Sequence, residues 1–440
     1  MSTLQQAIAS PGADVDTTRP RLRGRARGWL SRSDVRAALL ATLGLRAFTS
    51  GLMALIVYLM HDTFVSVSNQ ADTIGQSQGL TIVPTSLHGA AQFLTTPWVR
   101  WDADVYLKIA ERGYSWYGST AFLPLYPGLV RLCGLGLGGH YILASLLIST
   151  IASFFMLLLL YQLILLLTGS ERISRYTLAV CCLLPVAFFS MAPYTESLFL
   201  ALAFATVLAS LEGQWRRAAI CAGIASLTRQ QGVLLSLLAA PALWNAARAY
   251  WGDRRPRPGR LTAVWRSTRG PALLVVASVG VYALWILYLT RIASAPAPWQ
   301  VLTSSHGWRQ HFEFPGAGVV NDVITIVRSP GMVFAHKLSL PLDVCSAILG
   351  AVGLWLARRR LPAGLLLFLL ACWCVALVKL EPTGWTNSAA RYLLTLLPIG
   401  FVPATWLSRT RPALRLTYFS VVVVLSCVFM TEWVMWAWVS

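Results

Sequence analysis

The chain has 440 residues, of which 56% are hydrophobic and only 12% are charged, whereas soluble domains carry roughly 25% charged residues. This composition excludes a protein whose main solvent is water. The net charge of +19 does not indicate nucleic-acid binding, because the Lys and Arg residues lie in short tracts between apolar runs. Basic tracts in that position orient membrane proteins and contact anionic lipid headgroups.

The N-terminal stretch is polar and rich in Arg, and the first long apolar run starts only after residue 36. We therefore expect no secretory signal peptide. We interpret residues 1–35 as a disordered, basic, cytoplasmic tail. Residues 36–440 are expected to form a single transmembrane domain.

Apolar runs long enough for a helix to cross about 30 Å of hydrocarbon recur along the chain. We predict an all-α polytopic membrane protein with about eleven transmembrane helices. The predicted spans are 36–60, 141–167, 176–192, 196–212, 217–229, 231–248, 271–292, 340–357, 361–379, 392–407 and 416–438.

The charges between the spans indicate which side of the membrane each connection occupies. With a cytoplasmic N-terminus, the connections expected on the same side are all basic, namely 168–175, 213–217, 248–270, 358–360 and 408–415. The positive-inside rule is then satisfied throughout. Two large segments, 61–140 and 293–339, are left on the outer face.

Residues 121–139 are apolar, but the run is short and interrupted by Pro124 and Pro127. If this segment crossed the membrane, every later basic connection would lie outside. We therefore interpret it as an interfacial or re-entrant segment on the outer face.

Residues 98–112 are expected to form an amphipathic helix in the outer interface. Its apolar positions recur at helical spacing. They are Trp98, Trp101, Val105 and Ile109.

Two carboxylates on this predicted helix differ in their surroundings. Asp104 has Lys108 at i+4, so it is expected to be solvated and neutralised. Asp102 has no such partner and lies beside Trp101, one turn before Tyr106. Partial desolvation there would raise the pKa of Asp102 toward the range that suits a general base. The alternative is that Asp102 only caps or anchors the helix.

Two arginines lie where predicted spans meet the outer interface. Arg229 and Arg391 have two interpretations, since each side chain either extends to lipid headgroups or binds a phosphate with two parallel hydrogen bonds. Arg309 and Lys337 are further candidates for a phosphate site. Glu196 begins a predicted span, where it either stabilises the helix dipole or takes part in the chemistry.

No metal site or cofactor is predicted, although a divalent metal would be compatible with the chemistry. His306, His311 and His336 are too scattered to indicate a metal cluster. The eight cysteines lie mostly within apolar spans, where cysteine behaves as a small hydrophobic residue.

Several motifs resemble those of a known family. WDADVYLKIAERGY followed by AFLPLYP resembles the opening outer loop of the PIG-V family, the second mannosyltransferase of GPI-anchor synthesis, and of its bacterial relatives. APYTESLFLALAF, ASLTRQQGVLL and SAARYLLTLLP match further segments in the same order. The resemblance runs from about Arg46 to Pro398 and departs from the family pattern at Gln230 and Gln231.

This resemblance implies a GT-C-type glycosyltransferase fold with interfacial helices in the first outer loop. It implies a polyprenyl-phosphate sugar donor, usually of mannose, a lipid or glycan acceptor, inversion at the anomeric carbon, and Asp102 as general base. The expected location is the cell membrane, or the endoplasmic reticulum membrane in a eukaryote. Supporting roles are expected for Asp104, Tyr106 and Glu196, and substrate contacts for Trp101, Tyr126, Gln230, Gln300 and Trp308.

The competing interpretation is a transporter or flippase of lipid-linked sugars. A carrier with alternating access is expected to place polar groups near the membrane midplane, often in repeated halves. Here the polar segments are predicted to lie together on one side, which favours the transferase.

The predicted sidedness can be tested by cysteine labelling. A cysteine at Ser119 or Ser305 should react with a membrane-impermeant thiol reagent added to intact cells, whereas one at Ser267 should not. The unsubstituted protein measures the background from its own cysteines. Labelling at Ser267 would contradict the predicted orientation.

Overall fold

The computed structural model describes residues 32–77, 89–252, 260–381, 383–386 and 388–437. Most of the predicted tail, residues 1–35, lies outside the described residues. The same is true of the middle of the basic connection 248–270.

The α-helices of the described residues are α1 (Arg32–Leu59), α2 (His61–Ser77), α3 (Ala90–Leu94), α4 (Asp102–Arg112), α5 (Leu125–Gly136), α6 (Tyr141–Thr168), α7 (Glu171–Cys182), α8 (Glu196–Leu211), α9 (Trp215–Ala225), α10 (Ala240–Gly252), α11 (Arg260–Leu287), α12 (Pro298–Thr303), α13 (Ala317–Arg328), α14 (Pro330–His336), α15 (Ser339–Ala357), α16 (Ala363–Val378), α17 (Ala389–Tyr392), α18 (Phe401–Leu407) and α19 (Pro412–Val434). Tighter 3-10 turns cover Thr96–Trp98, Tyr117–Ala121, Ala187–Ser190, Gln230–Ala239 and Leu393–Gly400. A π-helical turn, Tyr288–Ile292, extends α11. Strands β1 (His311–Phe312) and β2 (Lys379–Leu380) pair antiparallel and form the only sheet within the described ranges.

All eleven predicted spans contain helix, and the all-α membrane architecture is confirmed. Seven helical stretches of the described chain are long and apolar enough to cross a membrane: Arg32–Leu59, Tyr141–Thr168, Gln230–Trp251, Leu261–Ile292, Ser339–Ala357, Ala389–Leu407 and Pro412–Val434. Glu196–Leu211 and Ala363–Val378 are shorter apolar helices. The predicted spans 176–192 and 217–229 contain α7 and α9, helices of only 12 and 11 residues.

A stripe of serines on α6 holds neighbouring segments close to this helix. Ser145, Ser149 and Ser153 recur every fourth residue and are fully buried, and small residues at this spacing let membrane helices approach closely. The Tyr126 hydroxyl donates to the Ser145 carbonyl at 3.2 Å and lies 2.9 Å from the Ser149 hydroxyl. Ser153 donates to the carbonyl of Ser190. Helix α5 and the turn before α8 are thereby tied to α6.

The segment 121–139 contains the 12-residue helix α5, which is too short to cross a bilayer. The predicted amphipathic helix 98–112 begins only at Asp102. The predicted start at residue 98 was wrong, since the chain turns sharply before Asp102. Seven residues of this helix are buried, among them Val105, Tyr106 and Ile109.

The turn before α4 is anchored by a buried arginine. The Arg100 guanidinium donates to the carbonyls of Thr96 and Val99, both at 2.9 Å, and to that of Val434 at 3.1 Å. The next residue, Trp101, has a φ of 52°, a backbone region that residues other than glycine rarely adopt. The anchor at Arg100 therefore holds a strained backbone immediately before Asp102.

The Tyr194 hydroxyl spans the same turn. It donates to the Arg100 carbonyl at 3.1 Å and accepts from the Asp102 backbone N–H at 3.2 Å. The ring packs edge-on against Phe189 and is tilted against Trp433, with centroids 5.4 and 5.6 Å away. One buried side chain thus links both ends of the strained residue to the segment before α8.

Buried carboxylates position the segment that leads to α17. Asp322 of α13 accepts from the Thr386 N–H at 3.1 Å, and burial raises the pKa of this carboxyl to about 6. Asp343 of α15 accepts from the Ala390 N–H at 2.6 Å. These contacts fix the backbone on both sides of Ser388 and so direct the side chain of Arg391.

Burial also bears on the labelling sites chosen from the sequence. Ser119 is fully buried, so a cysteine there would be hidden from reagent on either side of the membrane. Ser305 and Ser267 are exposed and remain suitable.

Replacing Tyr194 by Phe should lower the thermal unfolding midpoint of the purified protein in detergent. The rings of Phe189 and Trp433 keep their partner, but two buried hydrogen bonds are lost, at a cost of about 1 to 2 kcal/mol. Tyr288→Phe is the matched control, because Tyr288 is 45% exposed. Equal midpoints for the two variants would contradict the role given to the Tyr194 hydroxyl.

Candidate active site

A cavity of about 370 Å³ opens where α4, the start of the Gln230–Ala239 turn and α17 meet. Its charged and polar lining comes from residues far apart in sequence. The lining residues that carry polar side-chain groups are Asp102, Tyr106, Thr195, Thr228, Arg229, Gln230, Gln231, Trp308, Gln310, Ser388, Arg391 and Tyr392.

Glu196 holds two arginines together beside this cavity. A single oxygen, Oε1, accepts hydrogen bonds from Nη1 of Arg229 and from Nε of Arg391. The three side chains are 3%, 8% and 5% exposed, so the pairing takes place away from bulk water. Two buried guanidinium groups would repel each other strongly without a shared counter-charge.

Arg391 also reaches the carboxylate of Asp102. Its Nη1 lies 2.7 Å from Oδ2 of Asp102, whose side chain is 17% exposed. Two acids and two bases are therefore linked in one continuous charge network, formed by Asp102, Arg391, Glu196 and Arg229. Their formal charges sum to zero, which makes their burial tolerable.

This charge network corrects two expectations drawn from the sequence. Asp102 was expected to have no basic partner, and Arg391 is that partner. Arg229 and Arg391 were expected either to extend to lipid headgroups or to bind a phosphate, and both bind Glu196. The sequence did not reveal these pairs because Asp102 and Arg391 are 289 positions apart.

Further contacts hold Arg229 in place. Its Nη1 donates to the Thr195 hydroxyl at 3.3 Å, and its Nε donates to Oε1 of Gln231 at 3.2 Å. The guanidinium carbon also lies 5.0 Å from the ring centre of Tyr392, a favourable cation–π geometry. The Tyr106 hydroxyl lies 3.3 Å from the Thr195 hydroxyl and extends this polar wall.

Asp104 does not line the cavity. Lys108, one turn further along α4, places its ammonium group 4.4 Å from the ring centre of Trp116. Burial lowers the pKa of Lys108, and the nearby charge of Asp104 opposes that shift. This is consistent with Asp104 stabilising the charge of Lys108, while Asp102 faces the cavity.

Among the other predicted site residues, Tyr106, Gln230 and Trp308 line the cavity. Five others do not line it and make other contacts. Tyr126 is buried against α6, and Trp101 packs edge-on against Trp436.

The remaining three of these five lie on the 293–339 segment. Gln300 accepts from the Ala297 N–H and caps α12, while the exposed Arg309 donates to the Ser305 carbonyl. The ammonium of Lys337 lies over the ring of Trp385.

Sequence reasoning missed Gln310. This residue lines the cavity and is 7% exposed. Its Oε1 and the Nε1 of Trp308 have no hydrogen-bond partner among the described residues. Buried polar atoms of this kind are usually satisfied, so both atoms are suited to bind hydroxyl groups of a ligand. Gln310 follows Trp308 and Arg309 in a polar stretch that has no helical period to single it out.

Within the described chain, no group of three or more His, Cys, Asp or Glu side chains is arranged to hold a metal ion.

Comparisons with known proteins agree with the motifs. Residues 47–239 match the mannosyltransferase (PIG-V) family. GPI mannosyltransferase 2 of Schizosaccharomyces pombe is 29% identical over 31% of this chain and 30% of its own length. GPI mannosyltransferase pigv-1 of Caenorhabditis elegans is 27% identical over 36% of this chain and 27% of its own. The chain spans less than a third of the length of these curated relatives.

Two solved structures have a partly similar course of the chain. ArnT from Cupriavidus metallidurans bound to undecaprenyl phosphate superposes with a TM-score of 0.47 at 13% identity, over 87% of this chain and 65% of its own. The archaeal oligosaccharyltransferase AglB from Archaeoglobus fulgidus, in complex with an inhibitory peptide and a dolichol-phosphate, has a TM-score of 0.42 at 12% identity, over 78% and 52%.

The family match includes three of the four residues of the charge network beside the cavity, namely Asp102, Glu196 and Arg229. The resemblance predicted from the motifs is therefore confirmed over residues 47–239, which match the mannosyltransferase (PIG-V) family.

Proposed function

We propose that this membrane protein is a GT-C-type glycosyltransferase. It moves a hexose, which the family match indicates to be mannose, from a polyprenyl-phosphate donor to a lipid or glycan acceptor on the outer face of the membrane. The observation that carries the proposal is a cavity-facing carboxylate, Asp102, paired with the buried Arg391, which shares Glu196 with a second buried guanidinium, that of Arg229. The match in sequence and the apolar helices around the site support a membrane-embedded donor.

The reaction is a single displacement. The acceptor hydroxyl oxygen forms a bond to the anomeric carbon from the face opposite the donor phosphate, and the bond from that carbon to the phosphate oxygen breaks. The hydroxyl proton passes to Asp102, and the polyprenyl phosphate leaves as an anion. Attack from the opposite face inverts the anomeric carbon, and no carboxylate is needed as a nucleophile.

The guanidinium groups stabilise the phosphate that leaves. Negative charge develops on the phosphate as the bond to the sugar breaks, and fixed cations stabilise that charge most strongly where water is scarce. Arg391 is positioned to exchange its bond with Asp102 for a bond to the phosphate, which would leave the carboxylate ionised and able to accept a proton. Arg229 supports the same phosphate from its place on Glu196.

The hydroxyl groups of the sugar find partners on the opposite wall. Gln310 offers its carbonyl oxygen and Trp308 its indole N–H, both buried and facing the cavity. Gln230 lies on the same lining, at the position where the chain departs from the usual family string. These three side chains are the proposed contacts that distinguish one hexose from another.

The direct test uses the purified full-length protein with radiolabelled polyprenyl-phosphate mannose and a lipid extract of the host. Asp102→Asn should lose sugar transfer by about 10²- to 10⁴-fold, because the amide keeps the shape but cannot accept the proton. Donor binding should be retained. Asp104→Asn is the matched control, and its loss should be much smaller.

Two outcomes would contradict the proposal. A greater loss in Asp104→Asn than in Asp102→Asn would remove Asp102 from the role of base. A protein that moves labelled donor across vesicles and produces no labelled product, with only moderate loss in Asp102→Asn, would be a flippase.

The phosphate contacts can be tested by replacing Arg229 or Arg391 with Lys. The charge beside Glu196 is kept, but the planar fork that binds two phosphate oxygens is lost. Donor affinity should fall by roughly 1 to 3 kcal/mol for each lost charge-assisted bond, as measured by titration with donor lipid. Arg309→Lys, an exposed position outside the cavity, should bind donor as the unsubstituted protein does. Unchanged affinity and turnover in both cavity variants would leave the two arginines a purely structural role.

A further inference from the structure

A second cavity, of about 660 Å³, lies between the turn that joins α15 to α16 and the end of α18. Two of the basic connections recognised in the sequence, 358–360 and 408–415, meet there. The cavity is lined by Leu356, Arg359, Arg360, Phe401, Val402, Thr405, Trp406, Arg409 and Thr410.

The charge of this basic cavity is not balanced. Arg359, Arg360 and Arg409 line it together, and no carboxylate does. In the described part of the chain, none of the three takes part in an ion pair, whereas Arg229 and Arg391 each have a carboxylate. All three arginines are exposed to solvent, and an anion that enters the cavity would be attracted by all three guanidinium groups.

Apart from Thr405 and Thr410, the rest of the lining is apolar. Leu356 and Phe401 belong to helices α15 and α18, and the neighbouring Trp406 is 54% exposed. A tryptophan at the end of a membrane helix favours the level of the lipid headgroups. The cavity thus combines a cationic end with an apolar wall, in the same arrangement as the charged head and the acyl chain of a phospholipid.

We propose that this basic cavity binds the phosphate group of an anionic phospholipid. Guanidinium groups bind phosphate oxygens through paired hydrogen bonds, and basic pockets between membrane helices bind anionic headgroups. A free phosphate ion offers the same chemistry, but it would leave the apolar wall and most of the volume unfilled. The site is separate from the proposed sugar-transfer cavity, since the two share no lining residue.

The test measures lipid binding to the full-length protein, purified in a neutral detergent, by native mass spectrometry. Phosphatidylglycerol should bind as one tightly held molecule, and phosphatidylcholine should not. The triple substitution R359Q/R360Q/R409Q should weaken phosphatidylglycerol binding by about 100-fold, because each basic side chain near an anionic headgroup contributes roughly fivefold.

The control separates the cavity from general surface charge. R175Q/R216Q/R217Q removes the same number of positive charges from two other basic connections and should change the affinity by less than about fivefold. A second variant, Val402→Trp, places a bulky ring in the cavity and leaves its three arginines in place, so it should also weaken binding even if the triple variant folds poorly.

Three results would overturn the proposal. If both triple variants bind phosphatidylglycerol equally weakly, the lipid is held by the general positive charge of the surface and not by this cavity. If Val402→Trp binds the lipid as the unsubstituted protein does, the lipid binds elsewhere. Displacement of phosphatidylglycerol by inorganic phosphate at equal concentration would make the site one for a free anion and not for a lipid.

Discussion

The sharing of one carboxylate oxygen of Glu196 by two buried arginines is the interaction on which the candidate site depends. Each guanidinium would be costly to bury alone, and two side by side would be more costly still. Glu196 makes the pair tolerable and sets the spacing of two cations beside the cavity. Its place in the first turn of α8 adds a favourable interaction with the helix dipole. The structural and the chemical interpretations of Glu196 are thus compatible.

The remaining parts of the fold direct groups toward this centre. The strained turn at Trp101, anchored by Arg100 and Tyr194, aims Asp102 at the cavity. The buried carboxylates of Asp322 and Asp343 fix the segment that carries Arg391. Local backbone strain and the burial of polar groups are unfavourable by themselves. They persist because the packing of the surrounding helices stabilises this geometry.

The sequence was sufficient to predict the fold class and several residues that line the candidate site. Apolar periodicity and length identified all seven helical stretches of the described chain that are long and apolar enough to cross a membrane, because a helix that crosses lipid must carry its own apolar surface. Glu196, Arg229 and Arg391 were found because charged residues at the ends of membrane helices are rare and stand out. Asp102 was found because it has no basic residue at i+4 on the predicted interfacial helix, unlike Asp104.

Other features could not be predicted from the sequence. The pairing of Asp102 with Arg391 depends on how distant helices pack, and no local pattern encodes it. The helix predicted over 98–112 starts late, at Asp102, because Trp101 has a positive φ, and tryptophan is not a residue type that predicts this conformation. Gln310 is informative only because its burial leaves an amide oxygen without a partner, which is a property of the folded chain.

The central claim is that the two arginines beside Glu196 receive the phosphate of a lipid-linked donor. A cryo-EM structure of the protein with bound polyprenyl phosphate tests it most directly. We expect phosphate oxygens within about 3 Å of the guanidinium groups of Arg229 and Arg391. We also expect the separation of Arg391 and Asp102 to increase beyond its present 2.7 Å. A headgroup bound outside the cavity, with the Asp102–Arg391 pair unchanged, would contradict this account.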